Sequence, residues 1–313
     1  MKKVDVAINV YGKPFQTAVT LLSLVKHSDD HINKIYFVTE RRQPDNSDFD
    51  FIYKLLGEKL ITYTPKRWLW YNSVEKKHLE NEAYRLSIRY QFAWEKTNCD
   101  YLYLTHNDVL YEGDIIGALL DNIENNIGIG RIGQCWNCPA FSANVCNGDK
   151  YLTYRPSYEE VVSLASRFPP PRGNYEQIVD KENAWTLPEC RLNEWVALIN
   201  MKLAKPITIP VGDCYPFGGM QLDIGTRWFR DVSLKGYTLK NYDFENIAKH
   251  AWTTEINNGH SALFDKKLYD TSEDVAREKL ISDFGIDAKL LISKTSNSGI
   301  KKLMNFFSGK KHL

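Results

Sequence analysis

Hydrophobic and polar positions alternate in blocks along the first part of the chain, and these blocks predict strands separated by helices. Short apolar runs predict strands at 4–10, 34–39, 60–63 and 101–105. Between them, residues 17–26 and 80–95 carry apolar side chains at helical spacing. Strands that alternate with helices indicate an α/β fold with a mostly parallel sheet covered on both faces.

The second part of the chain has a different pattern. Residues 128–216 are rich in Pro, Cys, Asn and Trp and are predicted to be irregular, apart from one helix over 192–202. A Gly-Gly turn at 218–219 precedes a predicted helix over 227–235 and a short strand near 237–239. The remainder is predicted to be helical. We therefore divide the chain into residues 1–127, 128–265 and 266–313.

Polar residues follow the predicted strands at one edge of the sheet. In mostly parallel sheets, ligands bind beyond the carboxyl ends of the strands, which here are residues 10–12, 39–40 and 106–108. A carboxylate such as Asp108 at that edge can hold a divalent cation, and oxygen ligands suit Mg²⁺ or Mn²⁺. Such a cation neutralises the phosphates that depart when a sugar leaves a nucleotide diphosphate. An ordinary turn or helix cap is the alternative interpretation of the Asn107-Asp108 pair.

Six segments, taken in order, resemble motifs of the GT-A glycosyltransferases, particularly the family-2-like inverting enzymes of bacterial glycan biosynthesis. The order and spacing carry the resemblance, which covers about residues 4–252. Residues 106–108 resemble the DXD-type metal motif, with His106 at its first acidic position. The segments are Ile8 to Gly12, Arg85 in the 80–95 helix, His106 to Asp108, Phe217 to Asp223, Lys235 to Tyr237 and His250 to Trp252.

The resemblance implies a nucleotide-diphosphate sugar as donor, a glycan or lipid-linked glycan as acceptor, and Mn²⁺ or Mg²⁺ as cofactor. It assigns residues 1–127 to the donor, 128–265 to the acceptor and catalysis, and 266–313 to a helical tail. By position, the implied donor contacts are Val10, Tyr11, Glu40, Arg85, Asn107 and Asp108. Asp108 and His250 would hold the metal, since imidazole also suits Mn²⁺. Surface packing of Tyr11, a salt bridge of Arg85 and a structural role of His250 are the alternatives.

An inverting transfer needs a base that deprotonates the acceptor hydroxyl. Asp223 is the first candidate, because it follows the Gly-Gly turn just ahead of a predicted helix. Glu194 is the second candidate, although a carboxylate in the first turn of a predicted helix is also stabilised by the helix dipole. Stacking on an acceptor sugar or packing in the core is predicted for Trp136, Trp195 and Trp228.

The cysteines form a second group of candidate ligands. Cys135 and Cys138 form a C-x₂-C pair in an irregular segment, and Cys146 follows eight residues later. This spacing is typical of structural zinc sites, which take four ligands. Cys190 is the fourth ligand in the set that we predict. Buried cysteines that act as small apolar residues are the alternative.

Charge and hydropathy limit the remaining possibilities. The chain has 313 residues and a formal net charge of +1, so no overall field favours nucleic acid. Without a signal peptide or an apolar span, we expect a cytoplasmic protein with reduced thiols. Residues 299–311 form a basic amphipathic pattern that predicts peripheral contact with the inner membrane face, or a helix docked on the protein.

Two other functions compete with glycosyl transfer. A sugar-phosphate nucleotidyltransferase would need a Gly-rich, basic loop after the first strand, where this chain has one glycine and one lysine in residues 10–14. A non-catalytic, zinc-stabilised carbohydrate-binding protein is the third interpretation, which the histidine at position 106 favours.

Overall fold

A seven-stranded sheet runs through the centre of the protein, whose computed structural model describes residues 2–44, 47–69, 74–254 and 265–287. The strands are β1 Val4–Val10, β2 Ile32–Thr39, β3 Leu60–Tyr63, β4 Tyr101–Thr105, β5 Val109–Tyr111, β6 Gly128–Ile132, β7 Leu192–Asn200, β8 Met220–Gln221, β9 Asp223–Ile224, β10 Leu239–Asn241 and β11 Ala248–His250. The helices are α1 Pro14–Ser28, α2 Asp50–Leu56, α3 Glu82–Arg85, α4 Gln91–Lys96, α5 Ile115–Asn122, α6 Pro139–Ser142, α7 Tyr158–Arg167, α8 Tyr175–Ile178, α9 Met201–Thr208, α10 Thr226–Leu234 and α11 Lys266–Phe284.

The sheet has the strand order β10-β6-β7-β4-β1-β2-β3. All neighbouring strands are parallel except β7, which runs antiparallel to both β4 and β6. One face carries α1, α5 and α11, and the other carries α4, α9 and α10. The α/β fold class that the sequence predicts, with a mostly parallel sheet flanked by helices, is confirmed.

The predicted helix over 192–202 is wrong, because residues 192–200 form the central strand β7. Eight of its nine residues are buried, since β7 lies between two strands and is covered on both faces. A fully buried strand has no alternation of polar and apolar positions, so its apolar run cannot be told from a buried helix by periodicity. Residues 128–216 are therefore less irregular than predicted, because they supply β6 and β7 to the main sheet.

The predicted helix over 80–95 is broken into α3 and α4. Tyr90 interrupts it with φ 65°, a left-handed conformation, and its N–H donates to Asn9 Oδ1 at 3.0 Å. The break brings the carbonyl oxygen of Arg89 against Gly218, where an added Cβ would lie 1.7 Å from that oxygen. Only glycine allows this approach, so the Gly-Gly turn fixes the segment that precedes Asp223.

The carboxyl end of the chain packs back on the first helix. Helix α11 lies along α1, and Glu273 of α11 accepts hydrogen bonds from the backbone N–H groups of Phe15 and Gln16, at 2.8 and 3.2 Å. The described part of the chain contains no helix that is both long enough and apolar enough to span a bilayer. The amphipathic segment predicted at 299–311 lies outside the described residues.

Candidate active site

A cleft of about 1120 Å³ opens at the edge of the sheet where the parallel strands end. Its walls come from the segment after β4, from β7, from β11 and from the loop after β6. The residues that line it include His106, Gln134, Trp136, Arg191, Trp195 and His250. The sequence rule that ligands bind beyond the strand ends therefore selects the segment at 106–108 that borders this cleft.

Local backbone pairing brings His250 beside Asp108. Asp108 lies between β4 and β5, and β11 pairs antiparallel with β5 so that His250 stands opposite Val109. The N–H of Ala251 donates to the backbone oxygen of Asp108 at 2.8 Å, which anchors the two segments together. Residues far apart in the chain thus reach one point because a two-stranded ribbon joins them.

Three potential metal ligands meet at this point. His106, Asp108 and His250 offer ligand atoms that all lie within 4.8 Å of one another, and no other group of three or more His, Cys, Asp or Glu in the described residues does so. His250 Nε2 lies 3.3 Å from Asp108 Oδ1 and 3.3 Å from His106 Nδ1. His106 Nδ1 lies 3.9 Å from Asp108 Oδ1.

Asp108 is buried, with 3% of its surface exposed, and its two oxygens have different surroundings. Oδ2 accepts from Lys13 Nζ at 2.5 Å, whereas Oδ1 faces the two imidazoles without a well-formed hydrogen bond. Burial opposes ionisation, but Lys13 and His250 hold the pKa of Asp108 well below its ordinary value. A buried, ionised oxygen without a hydrogen-bond donor suits a cation, so this donor set fits Mn²⁺ or a similar ion.

His106 is oriented from its other side by a buried carboxylate. Its Nε2 lies 3.3 Å from Glu194 Oε1, which leaves Nδ1 toward Asp108 and His250. Burial lowers the pKa of His106 against the raising effect of Glu194, so the ring favours the neutral form that a metal requires. A carboxylate behind a ligating histidine is the usual outer partner in metal sites.

Arg191 links the two carboxylates that the sequence proposes as bases. Its Nη1 lies 2.8 Å from Glu194 Oε2 and 3.1 Å from Asp223 Oδ1. Although burial opposes it, Arg191 and His106 hold the pKa of Glu194 below its ordinary value. Glu194 belongs to strand β7 and not to the first turn of a helix. Asp223 keeps 24% of its side chain exposed and also accepts from Gln134.

Glu40 and Tyr11, two of the predicted donor contacts, follow the ends of β2 and β1. Glu40 follows Val10 at the sheet edge, where its N–H donates to the Val10 carbonyl at 3.0 Å. Burial raises the pKa of Glu40, while Arg89 and Asn9 oppose that rise. Tyr11 stacks on Trp68 at 6.5 Å, and Arg42 lies over the same Trp68 ring at 4.7 Å.

Arg85 forms a salt bridge, which is the alternative that the sequence offered for it. Its guanidinium binds Glu95, with Nε 2.7 Å from Oε1, and also the Leu79 carbonyl at 2.8 Å. Arg89, in the turn between α3 and α4, is the arginine whose charge acts on Glu40. The break at Tyr90 places positions 85 and 89 in different local environments. Asn107 lies near the predicted loop and donates to the Gly12 carbonyl at 3.1 Å.

The three tryptophans proposed for stacking have different environments. Trp228 is fully buried and packs against Trp94 and Phe217, so it belongs to the core. Trp195 lies against His250 with a centroid distance of 5.0 Å and an interplanar angle of 19°. Trp136 is 57% exposed at the cleft wall, which makes it the one of the three most available to a ligand.

The sequence missed two basic residues of this site, Lys13 and Arg191. Each gave a weak signal: Lys13 follows the end of β1, and Arg191 precedes the buried strand β7 by one residue. Lys13 adopts a left-handed backbone conformation with φ 56° directly before α1, which turns it toward Asp108. The four cysteines predicted to bind zinc lie apart from this centre and border a separate small cavity.

Comparison with known proteins places the chain near solved glycosyltransferases at low similarity. No protein-family model matches the chain. No curated protein matches it either. Structural matches include a mannosyltransferase from Pyrobaculum calidifontis in complex with GDP-Man and Mn²⁺, at 11% identity and TM-score 0.42, over 99% of this chain and 84% of that one.

Two further structural matches also have low sequence identity and low TM-scores. A glucosyl-3-phosphoglycerate synthase from M. tuberculosis matches at 11% identity and TM-score 0.42, over 91% of this chain and 81% of that one. The mannosyltransferase Ktr4p from S. cerevisiae, solved with GDP, matches at 10% identity and TM-score 0.40, over 80% and 71%. These structural neighbours belong to the class of enzymes that the sequence motifs resemble. At TM-scores of 0.40 to 0.42 the similarity is too low to assign an activity.

Proposed function

We propose that the protein transfers a sugar from a nucleotide-diphosphate donor to a glycan or lipid-linked glycan acceptor, with inversion, as a GT-A glycosyltransferase of the family-2-like type. The observation that carries the proposal is the group His106, Asp108 and His250 beside a cleft of about 1120 Å³ at the strand ends. A buried, ionised carboxylate beside two imidazoles at the usual ligand-binding edge of a parallel sheet favours metal-assisted phosphate chemistry.

The residues around Asp108 act on the donor. Asp108 Oδ1, His106 and His250 would hold Mn²⁺ or Mg²⁺, which when bound neutralises charge on the departing diphosphate. Lys13 holds the second oxygen of Asp108 and keeps the carboxylate ionised. Glu40 and Tyr11 lie at the same edge and would contact the base or ribose, and Arg89 would take the place near the diphosphate that the resemblance implies for Arg85.

The residues around Asp223 act on the acceptor. The acceptor oxygen bonds to the anomeric carbon as the bond to the diphosphate breaks, and its proton passes to a base. Asp223 is the better base, because it is 24% exposed and contacts two residues of the cleft wall, Gln134 and Arg191. Glu194 is almost fully buried and ionised between Arg191 and His106, so its role is to orient those two side chains.

The two alternative functions fit the residues less well. Lys13 of the loop after β1 is bound to Asp108, which leaves that loop without the glycine-rich, basic character of a nucleotidyltransferase. A non-catalytic binding protein would have no use for an ionised, buried carboxylate between two imidazoles. The peripheral membrane contact and cytoplasmic location remain predictions from residues 299–311 and the composition.

A thermal-shift screen of nucleoside diphosphates with and without Mn²⁺ tests the proposal. We expect one nucleotide to raise Tm only when Mn²⁺ is present, because a ligand that binds the folded state stabilises it by mass action. Asp108→Asn should abolish this shift. The matched control is Asp114→Asn, since Asp114 caps α5 through Gly117 N–H and takes no part in the cleft. If no nucleoside diphosphate stabilises the wild-type chain and no nucleotide sugar is hydrolysed, the proposal is wrong.

A further inference from the structure

Four of the cysteines meet at one point, away from the cleft. Cys135, Cys138, Cys146 and Cys190 all border one small cavity of about 20 Å³. They come from a turn after β6, the start of α6, the loop after α6 and the turn before β7. A cavity of that size holds one water-sized body or one metal ion. Cys99 and Cys214 lie outside it and provide an internal comparison.

The four thiols are largely removed from solvent. Cys138 and Cys146 are buried, and Cys135 and Cys190 are half-buried. The Cys135 thiol donates to the Ile132 carbonyl oxygen at 3.7 Å, and the Cys146 thiol donates to the Asn147 carbonyl oxygen at 3.6 Å. Both bonds use the thiol hydrogen, which a bound metal would displace.

We infer that Cys135, Cys138, Cys146 and Cys190 form a structural site for one zinc ion, bound as four thiolates. Each thiol would release its proton to solvent on binding, so that the ion faces four anionic sulfurs. Thiolates select zinc-like ions over Mg²⁺ and Mn²⁺, whereas the carboxylate and imidazoles of the cleft suit Mn²⁺. The two sites therefore differ in chemistry as well as in position.

Metal binding requires the sulfurs to move together. Sulfurs on one tetrahedral zinc lie roughly 3.8 Å apart, since each bond is about 2.3 Å long. In the described residues, no three of these sulfurs lie within 4.8 Å of one another. A change of rotamer about the Cα–Cβ bond of a cysteine moves its sulfur by about 3 Å, so metal binding would involve new rotamers of these side chains. Glu189 also borders the cavity: its Oε2 accepts from Tyr175, and its Oε1 lies 3.9 Å from Arg172 Nε.

The site would fix the wall that faces the acceptor. Trp136 lies between Cys135 and Cys138 in sequence and points into the cleft wall, and Gln134 donates to Asp223. Only short helical turns order residues 133–148, so a metal that joins them to Cys190 at the start of β7 replaces missing secondary structure. The inference stands apart from the proposed function, because a structural zinc site does not depend on what the cleft binds.

Metal analysis of the purified full-length chain tests the inference. We expect about one zinc per chain after dialysis, and its loss in Cys138→Ser and Cys190→Ser. The matched controls Cys99→Ser and Cys214→Ser should retain it, as should Asp108→Asn, which removes a ligand of the cleft and none of this site. Zinc that disappears in Asp108→Asn but persists in Cys138→Ser would overturn the assignment.

A second measurement covers the case in which the cysteine variants fail to fold. Wild-type protein loaded with Co²⁺ should show the intense visible bands of tetrahedral cobalt-thiolate, and a thiol reagent should react with four cysteines only after the metal is released. A folded, metal-free protein with all six thiols reactive would contradict the inference. A mass that is lower by two hydrogens without reductant would also contradict it, since it would show a disulfide.

Discussion

The carboxylates beside the cleft form two clusters, and each is built around one basic residue. At the first, Lys13 occupies one oxygen of Asp108 and leaves the other facing His106 and His250. At the second, Arg191 spans Glu194 and Asp223, of which one is buried and the other exposed. The first cluster leaves one oxygen of a buried, ionised carboxylate facing two imidazoles, and the second leaves a partly exposed carboxylate that contacts the cleft residue Gln134. Under the proposed function, similar charge pairing would prepare a cation site in one cluster and a base in the other.

The largest expected effect comes from Asp108→Asn. Transfer should fall by about 10³-fold or more, because the variant loses the ionised oxygen that faces the imidazoles. Turnover with saturating donor, with and without Mn²⁺, measures this loss. Wild-type turnover in a folded variant would show that the first cluster does not hold the metal.

The same substitution also tests stability. Asp108 pairs with Lys13, whose side chain is 7% exposed, so removal of one partner leaves a buried charge and costs roughly 3–5 kcal/mol. From the loop position of Asp108 alone, Asp108→Ala would be expected to leave the fold intact. The double variant Lys13→Met with Asp108→Asn removes both charges and should recover most of that stability without recovering transfer, as chemical denaturation would show.

The next effect in size concerns the second cluster. Asp223→Asn should lower kcat by about 10²- to 10⁴-fold, because it removes the proposed proton acceptor. The affinity for nucleotide and Mn²⁺ should stay unchanged, since Asp223 does not contact the first cluster. Asp213→Asn is the matched control, because Asp213 is exposed, forms a surface salt bridge with Lys235 and lies outside both clusters. Equal losses in both variants would remove Asp223 from the mechanism.

Glu194→Gln separates the two clusters, because Glu194 touches both. If Glu194 orients His106, its loss should weaken Mn²⁺ binding by about 10- to 100-fold, as calorimetry would detect. At saturating Mn²⁺, kcat should then return toward the wild-type value. A variant that binds Mn²⁺ normally but has lost kcat would instead make Glu194 the base and reduce Asp223 to its support.

The sequence predicted one half of the sheet better than the other. The strands β1, β2, β3 and β4, which form one half with β4 in the middle of the sheet, and the helices α1 and α10 follow apolar patterns that the sequence displays directly. Strand β7 does not, because burial on both faces removes its alternation. The break at Tyr90 depends on Asn9, a residue 81 positions away, so no local pattern could reveal it.

The residues of the site also differ in how well the sequence predicts them. The position of Asp108 follows from the strand-end rule, and His250 from the order of the motifs. Lys13 and Arg191 gave only the weak signal of their places beside β1 and β7, because the carboxylates that they contact, Asp108 and Asp223, lie 95 and 32 residues away in the chain. Arg85 was assigned by position from the resemblance, and its donor role stays a prediction.

The smallest effect concerns a third buried carboxylate, which lacks the close cation of the other two. Glu273 accepts from the backbone of Phe15 and from the Gln16 amide, and burial raises its pKa from 4.5 to about 7, despite those amides. Asp108 and Glu194, with Lys13 and Arg191 beside them, have lowered pKa values. A direct cation partner therefore decides the direction of the shift.

The consequence of that shift is a dependence of stability on pH. Between about pH 4.5 and pH 7 the folded state holds a proton on Glu273 that the unfolded state has lost, so stability from this group falls as pH rises through that window. The total is on the order of 3 kcal/mol. Glu273→Gln places a side chain that does not titrate at this position. Its free energy of unfolding, measured by denaturant titration from pH 4 to pH 8, should therefore decline less than that of the wild type. Parallel curves for the two proteins would show that Glu273 titrates normally. The hydrogen bonds from the start of α1 would then stabilise its ionised carboxylate as well as a cation would.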